Sequence, residues 1–233
     1  MEEALFSSAV RMAEAKNYND WTFSLFQPYV TGSVLEVGSG VGSLTKRIIE
    51  KCNFDRLLAI DVSPEAVNHC RANLKHPFLD IECMDVKDVS GQFDTIICIN
   101  VLEHIKDERA ALKQMWESLK RGGTLFLLVP AHPFLFNGFD LASGHYRRYN
   151  KRDMRRMLLE VAHPSPTRLL QYHFNAVGAL GYFFVYSLLR KLPHASVSSE
   201  VGFFDKGIVP LTRHVEGRWL PFGISLVSVA TKD

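Results

Sequence analysis

The densest chemistry in this chain lies in Val34-Leu35-Glu36-Val37-Gly38-Ser39-Gly40-Val41-Gly42, where a carboxylate precedes three closely spaced glycines. Glycine lets a backbone turn sharply and come close to a ligand. A helix starting at Ser43 would offer free N–H groups and the positive end of its dipole to that ligand. About 20 residues on, Asp61 closes the next apolar run, where a carboxylate can accept both hydroxyls of a ribose. Together these features describe an adenosine-containing ligand. Glu36 and Ser43 narrow the choice. A dinucleotide fingerprint, G-x-G-x-x-G, needs glycine at position 43, where this chain has serine. Glu36 would meet a pyrophosphate with like charge, but it suits an ammonium group, directly or through water.

These residues need a scaffold, and the flanking pattern supplies one. Apolar runs at 34–37, 57–60, 78–83, 95–99 and 124–129 read as strands, and 95–99 is apolar enough to be covered on both faces. Helices are expected between them. Ser43 to Lys51 places Leu44, Ile48 and Ile49 on one face, and Ser63-Pro64 opens a second helix as N-cap and first-turn proline. Asp107 caps a third running to about Leu119, which Arg121-Gly122-Gly123 ends. The β-α alternation predicts a parallel sheet with right-handed crossovers. After Pro130 come a long polar-aromatic loop (131–150), a helix at 151–161, a strand at 167–173, an irregular stretch at 193–218 and a last strand at 224–230.

The pattern E-x-G-x-G-x-G over Glu36, Gly38, Gly40 and Gly42, with Ser39 inside it, resembles motif I of the class I S-adenosylmethionine-dependent methyltransferases, type 11/12-like. Leu57 to Val62 resembles the second motif, which puts Asp61 on the ribose. Met84-Asp85-Val86 resembles the third, which puts Asp85 on the adenine amino group, with Met84 and Val62 flanking the ring. Phe93 to Ile105, including Asn100-Val101-Leu102-Glu103-His104, resembles the fourth motif in its LEH subgroup. Leu119 to Leu125 resembles the motif before strand five. The match is close from 34 to 130 and loose over the final strand. It implies an α/β, Rossmann-like fold: a seven-stranded, mostly parallel sheet with helices on both faces, the last strand antiparallel, and a loop/helix insertion after strand five. It also implies S-adenosylmethionine as donor and S-adenosylhomocysteine as product. The cofactor site would comprise Glu36, Gly38, Ser39, Gly40, Gly42, Asp61, Val62, Met84, Asp85, Val86, Asn100 and Val101, with Tyr18 reaching the methionine end from an N-terminal helix. The whole of 1–233 then reads as one domain: a helical cap (1–30), a cofactor core (31–130), an acceptor-side insertion (131–220) and a final strand (221–233).

Methyl transfer from a sulfonium is an in-line displacement by an already activated donor, so the protein must align the partners and exclude water. An oxygen or nitrogen acceptor also needs its proton removed, and histidine is the usual base near neutral pH. His104 follows strand four and His145 lies in the long loop; these two are the catalytic candidates. Glu103 is expected to cap or salt-bridge the helix that follows. His132, Arg147, Arg148 and Tyr149 are the acceptor-binding candidates. Asp140 to Tyr149 resembles a D-x-x-x-G-H-x-R-R-Y stretch of a bacterial methyltransferase subgroup linked to lipid or glycan pathways. Its arginines could hold a phosphate or carboxylate of the acceptor, or one could pair with Asp140 to fix the loop.

Composition sets the outer limits. Hydrophobic residues make up 47% and charged residues 22%, enough for a large core. The formal charge of +2 gives no overall pull toward nucleic acid, and Asn100-Val101-Leu102-Glu103 is not the N/D-P-P-Y/F tetrapeptide of exocyclic-amine enzymes. Cys52, Cys70, Cys83 and Cys98 form no C-x-x-C pair, so no metal site is expected and the thiols read as reduced. The first residues lack the basic and apolar regions of a signal peptide, so a cytoplasmic location is expected. Phe174 to Leu189 is shorter than the roughly 20 residues of a bilayer span. It is expected to be a buried or lid helix, with peripheral membrane contact as the second option. The acceptor is expected to be a small molecule or a lipid- or glycan-linked intermediate. Two other readings stay open: an NAD(P)-dependent oxidoreductase, and a non-catalytic binding subunit on a methyltransferase fold. Oligomeric state is not legible.

Overall fold

The computed structural model describes residues 10, 12–182, 202, 204–213 and 220–233. Seven strands form one sheet: β1 (Ser33–Val37), β2 (Arg56–Asp61), β3 (Leu79–Cys83), β4 (Phe93–Ile99), β5 (Leu119–Pro130), β6 (Arg168–Phe174) and β7 (Ser225–Thr231). Their order is β3-β2-β1-β4-β5-β7-β6. β1 to β5 pair in parallel, and β7 runs antiparallel to both its neighbours.

The strands bury side chains on both faces, and the period-2 alternation divides them between two cores. Leu35, Ile96, Leu125 and Leu127 enter one core. Val34, Ile97, Phe126 and Leu128 enter the other. The first face is covered by α4 (Glu108–Glu117) through Leu112, Met115 and Trp116, and by α6 (Lys151–Val161) through Met154, Met157 and Leu158. The second is covered by α1 (Lys16–Phe26) through Trp21, Phe23 and Phe26, and by α2 (Ser43–Lys51) through Ile48. α3 (Pro64–Asn73) packs Val67 and Cys70 over β2 and β3. Caps follow the sequence signals. Ser63 Oγ accepts from Ala66 N at 3.3 Å, and Asp107 Oδ1 accepts from Ala110 N at 3.1 Å.

The helix expected to reach Leu119 stops at Glu117, and Leu119 already stands opposite Phe93 in the β4–β5 ladder. Arg121-Gly122-Gly123 is therefore not a helix cap. It sits where the register jumps from Phe93↔Leu119 to Thr95↔Thr124, with Gly122 at φ 76°. A bulge and a helix C-terminus ask for the same left-handed glycine, so the sequence signal could not separate them.

The 131–150 loop is more structured than expected. It contains a 3₁₀ turn (Pro133–Leu135) and the short helix α5 (Gly138–Ala142), capped when Asn137 Oδ1 accepts from Phe139 N at 2.8 Å. Its ends meet: Tyr149 N donates to Pro130 O at 2.9 Å and His132 N to Tyr149 O at 2.8 Å. Beyond α6 and β6, Phe174 ends the strand rather than opening the apolar helix, which begins as α7 (Ala176–Tyr182). Residues 183–189 of that stretch lie outside the described residues, as do 193–201, 203 and 214–218 of the expected irregular stretch. A π turn (Phe204–Ile208) and α8 (Val209–Thr212) occupy part of the latter. Among the described residues no helix is long and apolar enough to cross a membrane.

Candidate active site

β1 has β2 on one side and β4 on the other, so the sheet's order reverses beside it. In open α/β sheets the carboxyl ends of strands at such a point form the ligand crevice. A cavity of about 510 Å³ lies there, within the usual range of roughly 300–1,000 Å³ for small-molecule sites. Gly38 and Gly40 line it from the loop after β1, and Asp61 and Val62 from the end of β2. Met84, Asp85 and Val86 follow β3, and Asn100, Val101 and His104 follow β4. Glu36, Ser39 and Gly42 support the same loop without lining the cavity. Gly38 has φ 78°, and a Cβ there would stand 2.1 Å from Val101 Cγ2. A side chain at Gly42, at φ 82°, would strike Cys70 Sγ at 2.5 Å.

Four of the loop's amides are engaged within the protein. Gly38 N and Ser39 N both donate to Ile60 O, at 2.8 and 2.9 Å, and Gly42 N donates to Ser39 O at 2.9 Å. Gly40 N donates to Asp61 Oδ2 at 2.8 Å, and Ser63 N to Asp61 Oδ1 at 2.9 Å. These amides form no phosphate cradle, which weighs against a dinucleotide. They fix the Asp61 carboxylate at the cavity wall, with acceptor capacity left on each oxygen. Asp85 is held more loosely, accepting from Lys87 N at 3.0 Å.

Glu36 is 3% exposed, and its Oε2 accepts from Thr45 Oγ1 at 2.6 Å. Burial pushes its carboxyl up to about 7, the Asp61 charge adds to the rise, and the Thr45 bond opposes it. A buried carboxyl poised at neutrality ionises fully when a cation is placed beside it.

Past the end of β4, the His104 and His145 rings meet edge to face, centroids 4.7 Å apart. Burial and the neighbouring His145 push His104 down to about 4, so its imidazole is neutral at physiological pH. His145 Nδ1 lies 2.9 Å from Asp140 Oδ1. Arg148 Nε donates to the same oxygen at 2.8 Å, and its Nη1 donates to Ala131 O at 3.2 Å. Of the two roles open to Arg148, the structure shows the loop-holding one. Arg147 and Tyr149 both close on Glu108, at 3.0 Å to Oε1 and 2.6 Å to Oε2. His132 stacks on Phe222 at 4.4 Å and neighbours His173 at 4.7 Å. These four acceptor candidates do not line the cavity, and neither does Tyr18. Tyr18 donates its backbone N–H to Asp205 Oδ1 at 2.8 Å and sets its ring 6.2 Å from Phe174. Glu103 does not cap the next helix, because Asp107 does. It is fully buried, neither carboxylate oxygen has a partner from another residue among the described residues, and burial pushes it up to about 8.

Comparison with known proteins agrees with this architecture. A family model described as a methyltransferase domain matches residues 35–125, which hold the glycine loop, Asp61, Asp85 and His104. Over these residues the chain is similar to methyltransferase domains. The mitochondrial ubiquinone biosynthesis O-methyltransferase of Saccharomyces cerevisiae is 33% identical over 101 residues, 41% of this chain and 32% of that protein. A ubiquinone biosynthesis O-methyltransferase of Xanthomonas campestris is 33% identical over 100 residues, 40% of this chain and 41% of that protein. The matched part thus spans only about a third to two fifths of these relatives' length. Among solved structures, a Haloferax volcanii putative methyltransferase in complex with the Trm112 activator superposes with a TM-score of 0.65 at 19% identity. That match covers 98% of this chain and 95% of that one, and shares the fold.

Sequence reading missed part of the cavity wall. Ile105 and Lys106 extend it beyond His104, and no residue-type signal marks them. Asp140, weighed only as an arginine partner, also orients His145.

Proposed function

We propose that this chain transfers a methyl group from S-adenosylmethionine to an oxygen or nitrogen of a small-molecule or lipid- or glycan-linked acceptor. The observation that carries the reading is the pairing of two carboxylates at one crevice. Asp61 is fixed by two amides at the cavity wall, and Glu36 is buried behind the loop, bonded to Thr45 and with no ion-pair partner among the described residues. The first suits the hydroxyls of a ribose and the second an ammonium. Gly38 and Val101 leave no space for a side chain between them, which lets the backbone approach the ligand. Val62, Met84 and Val86 offer apolar contact to an adenine, and Asp85 an acceptor for its amino group. When bound, S-adenosylmethionine supplies an activated methyl group. The chain's own residues then have to bring the acceptor in line, keep water out and accept the displaced proton.

The 131–150 loop carries the acceptor side. His104 lines the cavity, and His145 touches it from the loop. Phe134, Leu141 and Tyr146 on the same loop are 69%, 66% and 55% exposed, an apolar fringe that favours a greasy or lipid-linked acceptor and peripheral contact with a membrane surface. The relatives named as O-methyltransferases favour oxygen as the target atom. The four free cysteines favour a cytoplasmic setting. The direct test is incubation with methyl-labelled S-adenosylmethionine and panels of phenolic, carboxylate and amine acceptors, following S-adenosylhomocysteine release. Acceptor-dependent release supports the proposal. Absence of release together with absence of cofactor binding overturns it.

A further inference from the structure

We infer that Glu103, His104 and His145 bind one divalent ion of the first transition row at the acceptor end of the cavity. Among the described residues these three side chains bring a carboxylate oxygen and two ring nitrogens within 4.8 Å of one another. Glu103 makes the cluster unusual. It is 0% exposed, and among the described residues no other side chain or backbone group bonds either of its oxygens, yet buried carboxylates are ordinarily paired or bound to metal. Within reach of it are two imidazoles whose ring nitrogens can each offer a lone pair, with the Arg148 charge also acting on it.

The surroundings are those of a metal site as well. His145 Nδ1 is held by Asp140 Oδ1 at 2.9 Å, which directs Nε2 away from that carboxylate. A carboxylate behind a histidine ligand fixes its tautomer and raises its basicity. Arg148 holds Asp140 in turn at 2.8 Å. Tyr146 N donates to Glu103 O at 2.8 Å, tying the loop that carries His145 to the segment that carries the other two ligands. Zn–N bonds of about 2.0–2.1 Å put ligand atoms roughly 3.3 Å apart, so atoms that now lie as far apart as 4.8 Å would close by up to about 1.5 Å on binding.

Two imidazoles and one carboxylate select zinc, iron(II), cobalt, nickel or manganese over magnesium and calcium, which prefer all-oxygen shells. Three protein ligands leave positions open, as in catalytic rather than structural sites. His104 also lines the cavity, so an open position faces the acceptor. The functional role rests on the methyl-transfer reading: an acceptor hydroxyl held by the ion would give up its proton to solvent more readily as it enters, before water is excluded and in place of proton uptake by a side chain. The oxygen then takes the methyl carbon, and the carbon–sulfur bond breaks to leave a neutral thioether. In this arrangement the two histidines hold the ion, and neither is itself the base.

The binding claim stands apart from that role and is tested without turnover. Tag-free, chelator-stripped full-length protein is titrated with Zn²⁺ by calorimetry and with Co²⁺ by visible absorption, with S-adenosylhomocysteine affinity measured in parallel. The expected result is one equivalent of Zn²⁺ at micromolar affinity or tighter and cobalt ligand-field bands. Glu103→Gln and His145→Ala should each weaken binding at least tenfold while S-adenosylhomocysteine affinity stays within twofold. If Glu103→Gln does not fold, His145→Ala and His104→Ala carry the comparison. No uptake by the wild type, variants that bind as well as wild type, or Mg²⁺ binding as tightly as Zn²⁺ would overturn the assignment. Zinc binding without S-adenosylhomocysteine binding would remove the methyl-transfer reading and leave the metal site standing.

Discussion

Replacing Glu36 with glutamine keeps the shape of the side chain and removes its charge, and the structure predicts opposite effects on stability and on binding. Glu36 is 3% exposed, and its carboxyl is pushed from the ordinary 4.5 to about 7, chiefly by burial. Ionising it in the ligand-free protein therefore costs on the order of 3 kcal/mol. Because the folded state holds this proton more tightly than the unfolded chain, ligand-free stability is highest below about pH 4.5 as far as Glu36 is concerned. That contribution is lost as pH rises through 7. Glu36→Gln has no such loss. At pH 8 the variant should be more stable than wild type by about 1–3 kcal/mol, after about 1 kcal/mol for a weaker bond with Thr45. Cofactor binding should run the other way. An ammonium favours the ionised form, so wild-type affinity for S-adenosylmethionine should climb between pH 5 and 7 and then level off. The variant should bind about 1–3 kcal/mol more weakly, with little dependence on pH. Urea denaturation and calorimetric titration at pH 5, 6, 7 and 8 measure both. Parallel stability curves for wild type and variant, or equal cofactor affinity, would refute the reasoning.

The other predictions concern the loops. Gly38→Ala places a Cβ 2.1 Å from Val101 Cγ2 at a φ of 78°. It should cost about 1–2 kcal/mol in backbone strain alone and abolish cofactor binding, and a second change, Val101→Ala, should restore part of the stability in thermal melts. Arg148→Met leaves Asp140, 0% exposed, without its guanidinium partner. Breaking a buried pair in this way should cost about 3–5 kcal/mol, read by chemical denaturation, with the 131–150 loop becoming protease-sensitive. His145→Ala should cut methyl transfer by about 10²-fold or more and leave S-adenosylhomocysteine affinity unchanged; full activity would remove it from the chemistry.

What could be read in the sequence was local. β4 announced itself as a nearly continuous apolar run, and its burial on both faces explains why. α2 and α6 begin and end where their residue spacing places them, because helix termini are set by residues within a turn of each other. The crevice beside β1 was legible for a related reason. Glycines and acids at the ends of parallel strands are carried to one edge by the topology itself, whatever the packing elsewhere. The contacts of the 131–150 loop were not legible, since its side chains are chosen by partners far away in sequence. Nothing local says that Arg147 and Tyr149 reach across to Glu108, or that Arg148 turns inward to Asp140. Glu103 misled for the opposite reason. Its position before a helix suggests a cap, but Asp107 takes that role and the segment after β4 turns Glu103 into the interior.

The central claim is that the crevice beside β1 grips the adenosine and amino-acid parts of one ligand. The most direct measurement is a calorimetric titration of S-adenosylhomocysteine into wild type and Asp61→Ala. One site per chain is predicted, weakened by about 1–3 kcal/mol in the variant through lost hydroxyl contacts. Absence of heat with millimolar ligand, or identical affinity in the two proteins, would contradict it.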